Sequence, residues 1–541
     1  MGARLLILGL DGATWDVLDP LGARLPHLTR LWREGVRAPL NSTRPPMTLP
    51  AWSSVLTGVN PGRHGILDFV RRVPGTYRLE LLNATHRRVP TLHQLLSTRG
   101  RRVASIAVPT TWPPDRLNGV MISGFDSPVA TSIEASHCEP PGLYDEILAR
   151  FGGLRFADFQ EGDIGGGWHE AARASLLREI GRKEALCRTL LQREDWQAFM
   201  VVFGESDTVA HHFWMFHDPR SPRYTPGWAH VLAEVYERLD AVVGLLARQA
   251  DNVCVVSDHG FGGAGDVVVY LNRFLEARGW LRYRAGRRGA GGDHLRRLAL
   301  RLPAERIIRR VPDAWLGGIE SRTRYGDIDF TATRAWSDEM NYAATIHLNV
   351  RGRDPDGTIE DVEAATRALT RELLAWEVEG VPVVARVWRR EECVRGPAAD
   401  GAPDLILELA LRGGYSVTVL PSSRVSPGTV WRRLLPAEHV GGKGLGMNGS
   451  HRQHGVLILN GPAFRRGVAT EADVIDVLPT VLHALGEAVP DHVEGRVLEE
   501  ALAGPEPVER VTVAASMPRP RPYGSAQSDA VRRRLERLGY L

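Results

Sequence analysis

The sequence predicts an α/β protein: a mostly parallel sheet covered by helices on both faces, with an inserted cap region. Three observations predict it. Short runs that are apolar at nearly every position recur along the chain, and strands buried on both faces need that composition. Amphipathic segments of helix length separate these runs, as crossover connections between parallel strands require. Several runs end on acidic residues, which suits a sheet whose ligands bind beyond the carboxyl ends of its strands.

In chain order, the first strand is expected at residues 4–9 (RLLILG), directly after Met1, and a helix over 26–34 follows it. Residues 102–108 (RVASIAV) read as the next buried strand, and 168–192 as a long amphipathic helix. The run 198–203 (AFMVVF), the helix 228–249 and the run 252–257 (NVCVVS) repeat the strand–helix–strand pattern. Beyond residue 266 the alternation weakens into Gly/Arg-rich stretches and a helix over 359–375, before 455–459 (GVLIL) and a helix over 473–485 resume it. Residues 1–265 and 401–500 are therefore expected to form one α/β core, with 266–400 an inserted cap region. Residues 501–541 change character again, to a Pro-rich linker and a short docking tail, AVRRRLERLGYL.

Bulk properties exclude several classes. A composition of 43% hydrophobic and 24% charged residues is that of an ordinary globular chain, too apolar for wholesale disorder. The net charge of +3 gives no global attraction to nucleic acid, although the Arg-rich stretch 282–310 offers a local basic face. Four cysteines without CxxC spacing suggest neither a disulfide framework nor a thiolate zinc site, so reduced thiols and a cytoplasmic location are expected. No apolar run approaches the ~20 residues that cross a bilayer, so no transmembrane segment is expected. The oligomeric state is left open.

The chemistry lies in short clusters at strand ends: Asp11, Asp207 with His211, and Asp258 with His259, joined by His451 ahead of a later apolar run. Three carboxylates and three imidazoles can hold two divalent cations, and a nearby hydroxyl, Thr48, can serve as nucleophile. That combination points to hydrolysis or transfer at phosphorus, and second to sulfur. Each member has a plain alternative. Asp207 and His211 stand at i, i+4 on one helix face, yet Asp207 could instead cap the helix, and His212 and His217 compete with His211. Thr48 could cap its own helix, with Ser42, Thr43, Ser53 and Ser54 as further hydroxyls, and His454 competes with His451. Asp16, Asp19 and Asp68 read as solvated or capping carboxylates. The stretch Gly260–Gly265 matches GxGxxG, but the DVVVYL after it reads as extended rather than as a phosphate-binding helix. Its glycines are expected to let the backbone turn tightly beside the metals.

The ordered set LDG, TLPAWSSVLTGVNPGRHGI, ESDTVAH, SDHGF and GSHRQHG, followed by NGP and DVLPTVLHALG, resembles the alkaline phosphatase superfamily, and within it the bacterial type I phosphodiesterase/nucleotide pyrophosphatase family. The resemblance runs from Met1 to about Gly486. It implies an alkaline-phosphatase-like fold and two metal sites: Asp11, Thr48, Asp258 and His259 in one, and Asp207, His211 and His451 in the other. Thr48 is the implied nucleophile, passing through a phosphothreonine. The implied ions are zinc, with manganese or iron as alternatives, and the implied partner is a small-molecule phosphate ester. One departure is Ala51, where nucleotide pyrophosphatases of eukaryotic type carry an Asn that holds a phosphoryl oxygen. The Cys/Ser-x-Pro-x-Arg motif of sulfatases is absent. The expected activity is hydrolysis of a phosphate diester; a phosphomonoesterase or phosphotransferase on the same site and a non-catalytic phospholigand-binding member are the alternatives.

Overall fold

A computed structural model describes residues 2–124, 133–154, 167–284, 325, 327–340, 343–439, 447–504 and 506–513. The chain opens with β1 (Gly2–Leu10), α1 (Pro26–Glu34), β2 (Val36–Asn41), α2 (Thr48–Thr57), β3 (Val103–Val108), β4 (Gly119–Ser123) and β5 (Cys138–Glu139). There follow α3 (Trp168–Leu191), β6 (Asp195–Phe203), α4 (Glu205–His217), α5 (Val231–Ala247), β7 (Ala250–Val256) and β8 (Gly260–Val269). The next stretch holds β9 (Ala335–Trp336), β10 (Ala344–Leu348), α6 (Val362–Leu374), β11 (Val384–Arg389), β12 (Leu405–Leu409), β13 (Leu411–Arg412), β14 (Tyr415–Val419) and β15 (Trp431–Arg433). The chain then returns through β16 (Gly449–Arg452), β17 (His454–Asn460), β18 (Val468–Ala469), β19 (Ala472–Asp473) and α7 (Val477–Ala484).

Among the described residues the central sheet has ten strands in the order β18-β2-β17-β7-β1-β6-β3-β4-β5, with β19 also pairing β2. Its middle, β7-β1-β6-β3-β4, is parallel throughout. Alternation along β1 splits the core. Leu6, Leu8 and Leu10 pack with α1, α4 and α5 on one face, while Leu5 and Ile7 pack with Trp52, Val55 and Leu56 of α2 and with α7 on the other. Burying each such aliphatic side chain contributes roughly 1.5–3 kcal/mol, which is why both faces must be covered. All five predicted strands and all five predicted helices are present, the last helix being preceded by a single 3₁₀ turn at Val474–Asp476.

Two readings need correction. The predicted strand at 455–459 is antiparallel to both of its neighbours, β2 and β7, because the chain re-enters the sheet from the far end. The GxGxxG stretch does not turn: Gly260–Val269 is one extended strand, pairing with β14, β15 and β16 in a second, five-stranded sheet. A third, four-stranded antiparallel sheet, β9-β10-β12-β11, packs with α6 around its own apolar cluster. Most of the Arg-rich 282–310 stretch and the docking tail expected at the end of the chain lie outside the described residues. Among the described residues no helix is long and apolar enough to cross a membrane.

The glycines of β8 serve close approach rather than a bend. A Cβ on Gly260 would lie 2.0 Å from the His454 carbonyl oxygen, and one on Gly263 would lie 2.7 Å from the Trp214 indole nitrogen. Gly260→Ala is therefore expected to destabilise the fold by about 1–3 kcal/mol or more, because backbone rather than a flexible side chain must yield. Urea melts that leave the midpoint unchanged would contradict this.

Candidate two-metal site

Strand register decides where the acidic residues meet. Leu10 of β1 pairs with Phe203 of β6, and Gly9 pairs with Val256 of β7, so the three strands end at one level. Asp11 follows β1 and its N–H still donates to the Phe203 carbonyl at 3.2 Å, while Asp258 comes two residues past Val256. After β6 the chain turns at Gly204 into α4, which places Asp207 in its first turn and His211 one turn later. The cap of α4 is Gly204, so Asp207 is not the helix cap.

Two buried groups result: Asp11, Asp258 and His259, and Asp207, His211 and His451, the ligand-type atoms of each lying within 4.8 Å of one another. In the first, His259 Nε2 is 3.5 Å from Asp11 Oδ1 and 3.4 Å from Asp258 Oδ2. In the second, His211 Nε2 is 3.2 Å from Asp207 Oδ1 and 3.1 Å from His451 Nε2, which is itself 3.5 Å from Asp207 Oδ1. The opposite ring nitrogens fix the tautomers. His211 Nδ1 meets the Gly449 carbonyl at 3.1 Å, His259 Nδ1 the Gly260 carbonyl at 3.0 Å, and His451 Nδ1 the Pro46 carbonyl at 2.9 Å. A carbonyl only accepts, so each Nδ1 carries the proton and each Nε2 presents a lone pair. His211 and His451 thus direct two lone pairs at each other across 3.1 Å, which repel unless a cation lies between them. The donor set fits divalent metal ions.

Electrostatics agrees. Burial, and then the charges of Asp11 and Asp207, push the Asp258 carboxyl well above the usual carboxylate range. Burial, and then His451, hold His259 well below the ordinary imidazole value, so it stays neutral and able to ligate. Carboxylates buried this close together remain ionised only with positive charge among them.

Thr48 is the first residue of α2, whose cap is Met47, so it does not cap the helix; its Oγ1 lies 3.4 Å from His259 Nε2. The other hydroxyls are engaged elsewhere. Ser42 donates to the Asp258 carbonyl, Thr43 to the Pro45 carbonyl, Ser53 meets Thr110, and Ser54 meets His64. His212 turns toward Trp168, His217 sits beside Trp214, and His454 is exposed, so none of the three joins the cluster. Asp19 pairs with Arg37, Asp68 accepts from the Phe69 N–H, and Asp16 lines the cleft next to the site.

That cleft, about 1240 Å³, opens at His451 and is walled by Arg44, Trp214, Trp388, Tyr415 and Arg452. Arg452 clasps the second sheet: its guanidinium donates to Ser416 Oγ and to the Gly263 and Gly414 carbonyls, and burial draws it down to about 10 against the opposing pull of Asp16. Sequence reasoning missed Arg44, Trp388 and Arg452. Only Arg452 carried a signal, its place beside His451 in GSHRQHG.

The type I phosphodiesterase / nucleotide pyrophosphatase family model matches residues 5–419. The chain belongs to that family. It is thereby a phosphoric ester hydrolase by family, and the resemblance of the motifs is borne out. Among solved structures, murine ectonucleotide pyrophosphatase/phosphodiesterase 5 is similar at 13% identity over 92% of this chain and 100% of that one, with a TM-score of 0.48. An inactive form of the same murine protein in complex with AMP is similar at 13% identity over 93% and 100%, with a TM-score of 0.49. Phosphonoacetate hydrolase from Sinorhizobium meliloti 1021 in complex with phosphonoformate is similar at 16% identity over 89% and 95%, with a TM-score of 0.48. No curated protein matches the sequence.

The helix that carries Thr48 is braced by a neutral histidine. His64 Nδ1 accepts the Ile66 N–H at 3.1 Å, so its Nε2–H faces Ser54 Oγ of α2 at 3.1 Å, and burial lowers it to about 3. His93 is likewise buried and lowered to about 3. Between pH 6.5 and 3 the unfolded chain protonates both rings while the folded chain does not. Stability is therefore full above 6.5 and falls on acidification, by at most roughly 1.4 kcal/mol per pH unit for each ring. Urea melts of the wild type and of His93→Leu at pH 7, 6 and 5 are expected to show the variant losing about 1 kcal/mol per unit less over that window. Equal slopes would show that His93 is protonated in the fold.

Proposed function

We propose that the protein is a two-metal phosphodiesterase that works through a phosphothreonine at Thr48. The observation that carries this reading is the pair of buried donor groups in which every imidazole has its Nδ1–H tied to a backbone carbonyl and its Nε2 turned inward. Asp11, Asp258 and His259, with the Thr48 hydroxyl, would hold one ion, and Asp207, His211 and His451 the other. Carboxylate and imidazole donors suit zinc first, with manganese or iron as alternatives. When bound, two dications neutralise the carboxylates, polarise phosphoryl oxygens and lower the pKa of a nearby hydroxyl.

The chain's own residues supply the rest. Thr48 Oγ1 attacks phosphorus in line, the bond to the leaving oxygen breaks, and water then cleaves the phosphothreonine and restores the hydroxyl. The N-terminus of α2 sets its partial positive charge beside the phosphoryl group being transferred. Three carboxylates against two dications leave about +1, matched to a monoanionic diester. In this reading residues 1–265 and 401–500 are the catalytic core, and 266–400 the cap, whose sheet reaches on to Leu409 and whose Trp388 faces the cleft. Residues 501–541 are the linker and docking tail. All four cysteines are free, which fits a reducing cytoplasm.

Thr48→Ala is expected to lower turnover on the order of 10³-fold or more with metal content unchanged, and Thr48→Ser to keep part of it. Wild-type rates in Thr48→Ala would assign the attack to another hydroxyl or to water. Exhaustive chelation is expected to abolish activity and zinc to restore it. Among bis-p-nitrophenyl phosphate, p-nitrophenyl phosphate and p-nitrophenyl sulfate, the diester is expected to give the highest kcat/KM. A tenfold preference for the monoester, about 1.4 kcal/mol at the transition state, would make the protein a phosphomonoesterase.

A further inference from the structure

Trp52 stands one helical turn after Thr48 in α2, so the two side chains share a helix face. Its indole is fully buried against β1 at a place where only glycine fits. A Cβ on Gly9 would come within 2.6 Å of the Trp52 ring and 2.7 Å of Val202. Asp11 follows Gly9 by two positions, the spacing that returns side chains to one face of a strand. The ring passes over Gly9 and its Nε1–H donates to Asp11 Oδ2 at 3.0 Å, while Oδ1 of the same carboxylate lies 3.5 Å from His259 Nε2.

We propose that Trp52 is a positioning residue for the metal site beside the nucleophile, holding Asp11 as a one-oxygen ligand. The inference rests on the two-metal reading above and adds to it the group that orients one ligand. An indole N–H is a donor only and carries no charge. It satisfies Oδ2 without competing for the cation and without neutralising the carboxylate, and so leaves Oδ1 to ligate. The Ser206 hydroxyl fixes the same residue from its backbone, donating to the Asp11 carbonyl at 2.7 Å, so Asp11 is held by its main chain as well as by its carboxylate. Because Thr48 and Trp52 leave adjacent turns of one helix, α2 sets the nucleophile and the ligand beside it together. Gly9, in the first strand, is the partner that lets the indole lie this close.

The test compares wild type with Trp52→Phe, which keeps a buried ring and removes the N–H. Metal-free protein is titrated with Zn²⁺ against a chelator of known affinity, and bound zinc is read by elemental analysis. Asp258→Asn marks which of the two sites belongs to the Asp11 set. In Trp52→Phe that site is expected to weaken about 10- to 100-fold while the other keeps wild-type affinity, with kcat for bis-p-nitrophenyl phosphate falling and KM little changed. Gly9→Ala, which displaces the ring from the strand side, is expected to reproduce the selective weakening. Wild-type affinity at both sites in Trp52→Phe overturns the proposal. Equal weakening of both sites overturns it too, since that marks a general loss of structure. A wild-type protein that binds fewer than two zinc ions refutes the two-metal reading itself, before any variant is compared.

Discussion

The common ending of three adjacent parallel strands is the constraint on which the rest depends. β7, β1 and β6 stop at one level because their register is fixed from Ala3 to Leu10, and that alignment gathers Asp11, Asp258 and the start of α4 at one edge of the sheet. A slip of one residue in β1 would turn Leu5 and Ile7 away from α2 and carry Asp11 to the other face. Hydrophobic packing and the polar site are therefore locked to the same register. The apolar alternation inside the sheet determines whether carboxylates converge outside it.

Convergence has an electrostatic cost that the fold meets locally. Three carboxylates in a buried pocket repel; burial holds His259 among them well below the ordinary imidazole value, and backbone carbonyls orient all three rings. The three Nδ1 contacts leave the Nε2 lone pairs pointing inward. The Pro46 carbonyl that orients His451 lies two residues before Thr48, so the segment that presents the Thr48 hydroxyl also orients an imidazole of the other group.

Much of this was legible in the chain. Buried strands of a parallel sheet are apolar throughout, so RLLILG, AFMVVF and NVCVVS declared themselves, and the polar residues directly after them were conspicuous because a buried strand has no use for them. Direction was not legible. An antiparallel strand buried on both faces has the same composition as a parallel one, so GVLIL gave no sign that it runs backwards. Nor could Gly260–Gly265 be read correctly, because the need for glycine there comes from His454, Arg452, Trp214 and Tyr415, all distant in sequence. Choosing Thr48 over Ser53 or Ser54 needed the bonds those serines make to Thr110 and His64, which no local pattern reports.

The backward strand β17 also bears on the order in which the molecule can be assembled. It lies between β2 and β7, yet it is built from residues 454–460, far after both of its neighbours. A chain growing from the ribosome holds β1, β6 and β7 long before it can join β2 to them, and the intervening segment from Ala335 to Leu409 has time to form its own sheet first. The gap closes only when β17 enters, and the same short stretch of chain carries His451 into the cluster. Completion of the sheet and completion of the second donor group are thus one late event, set by long-range closure and slow for that reason.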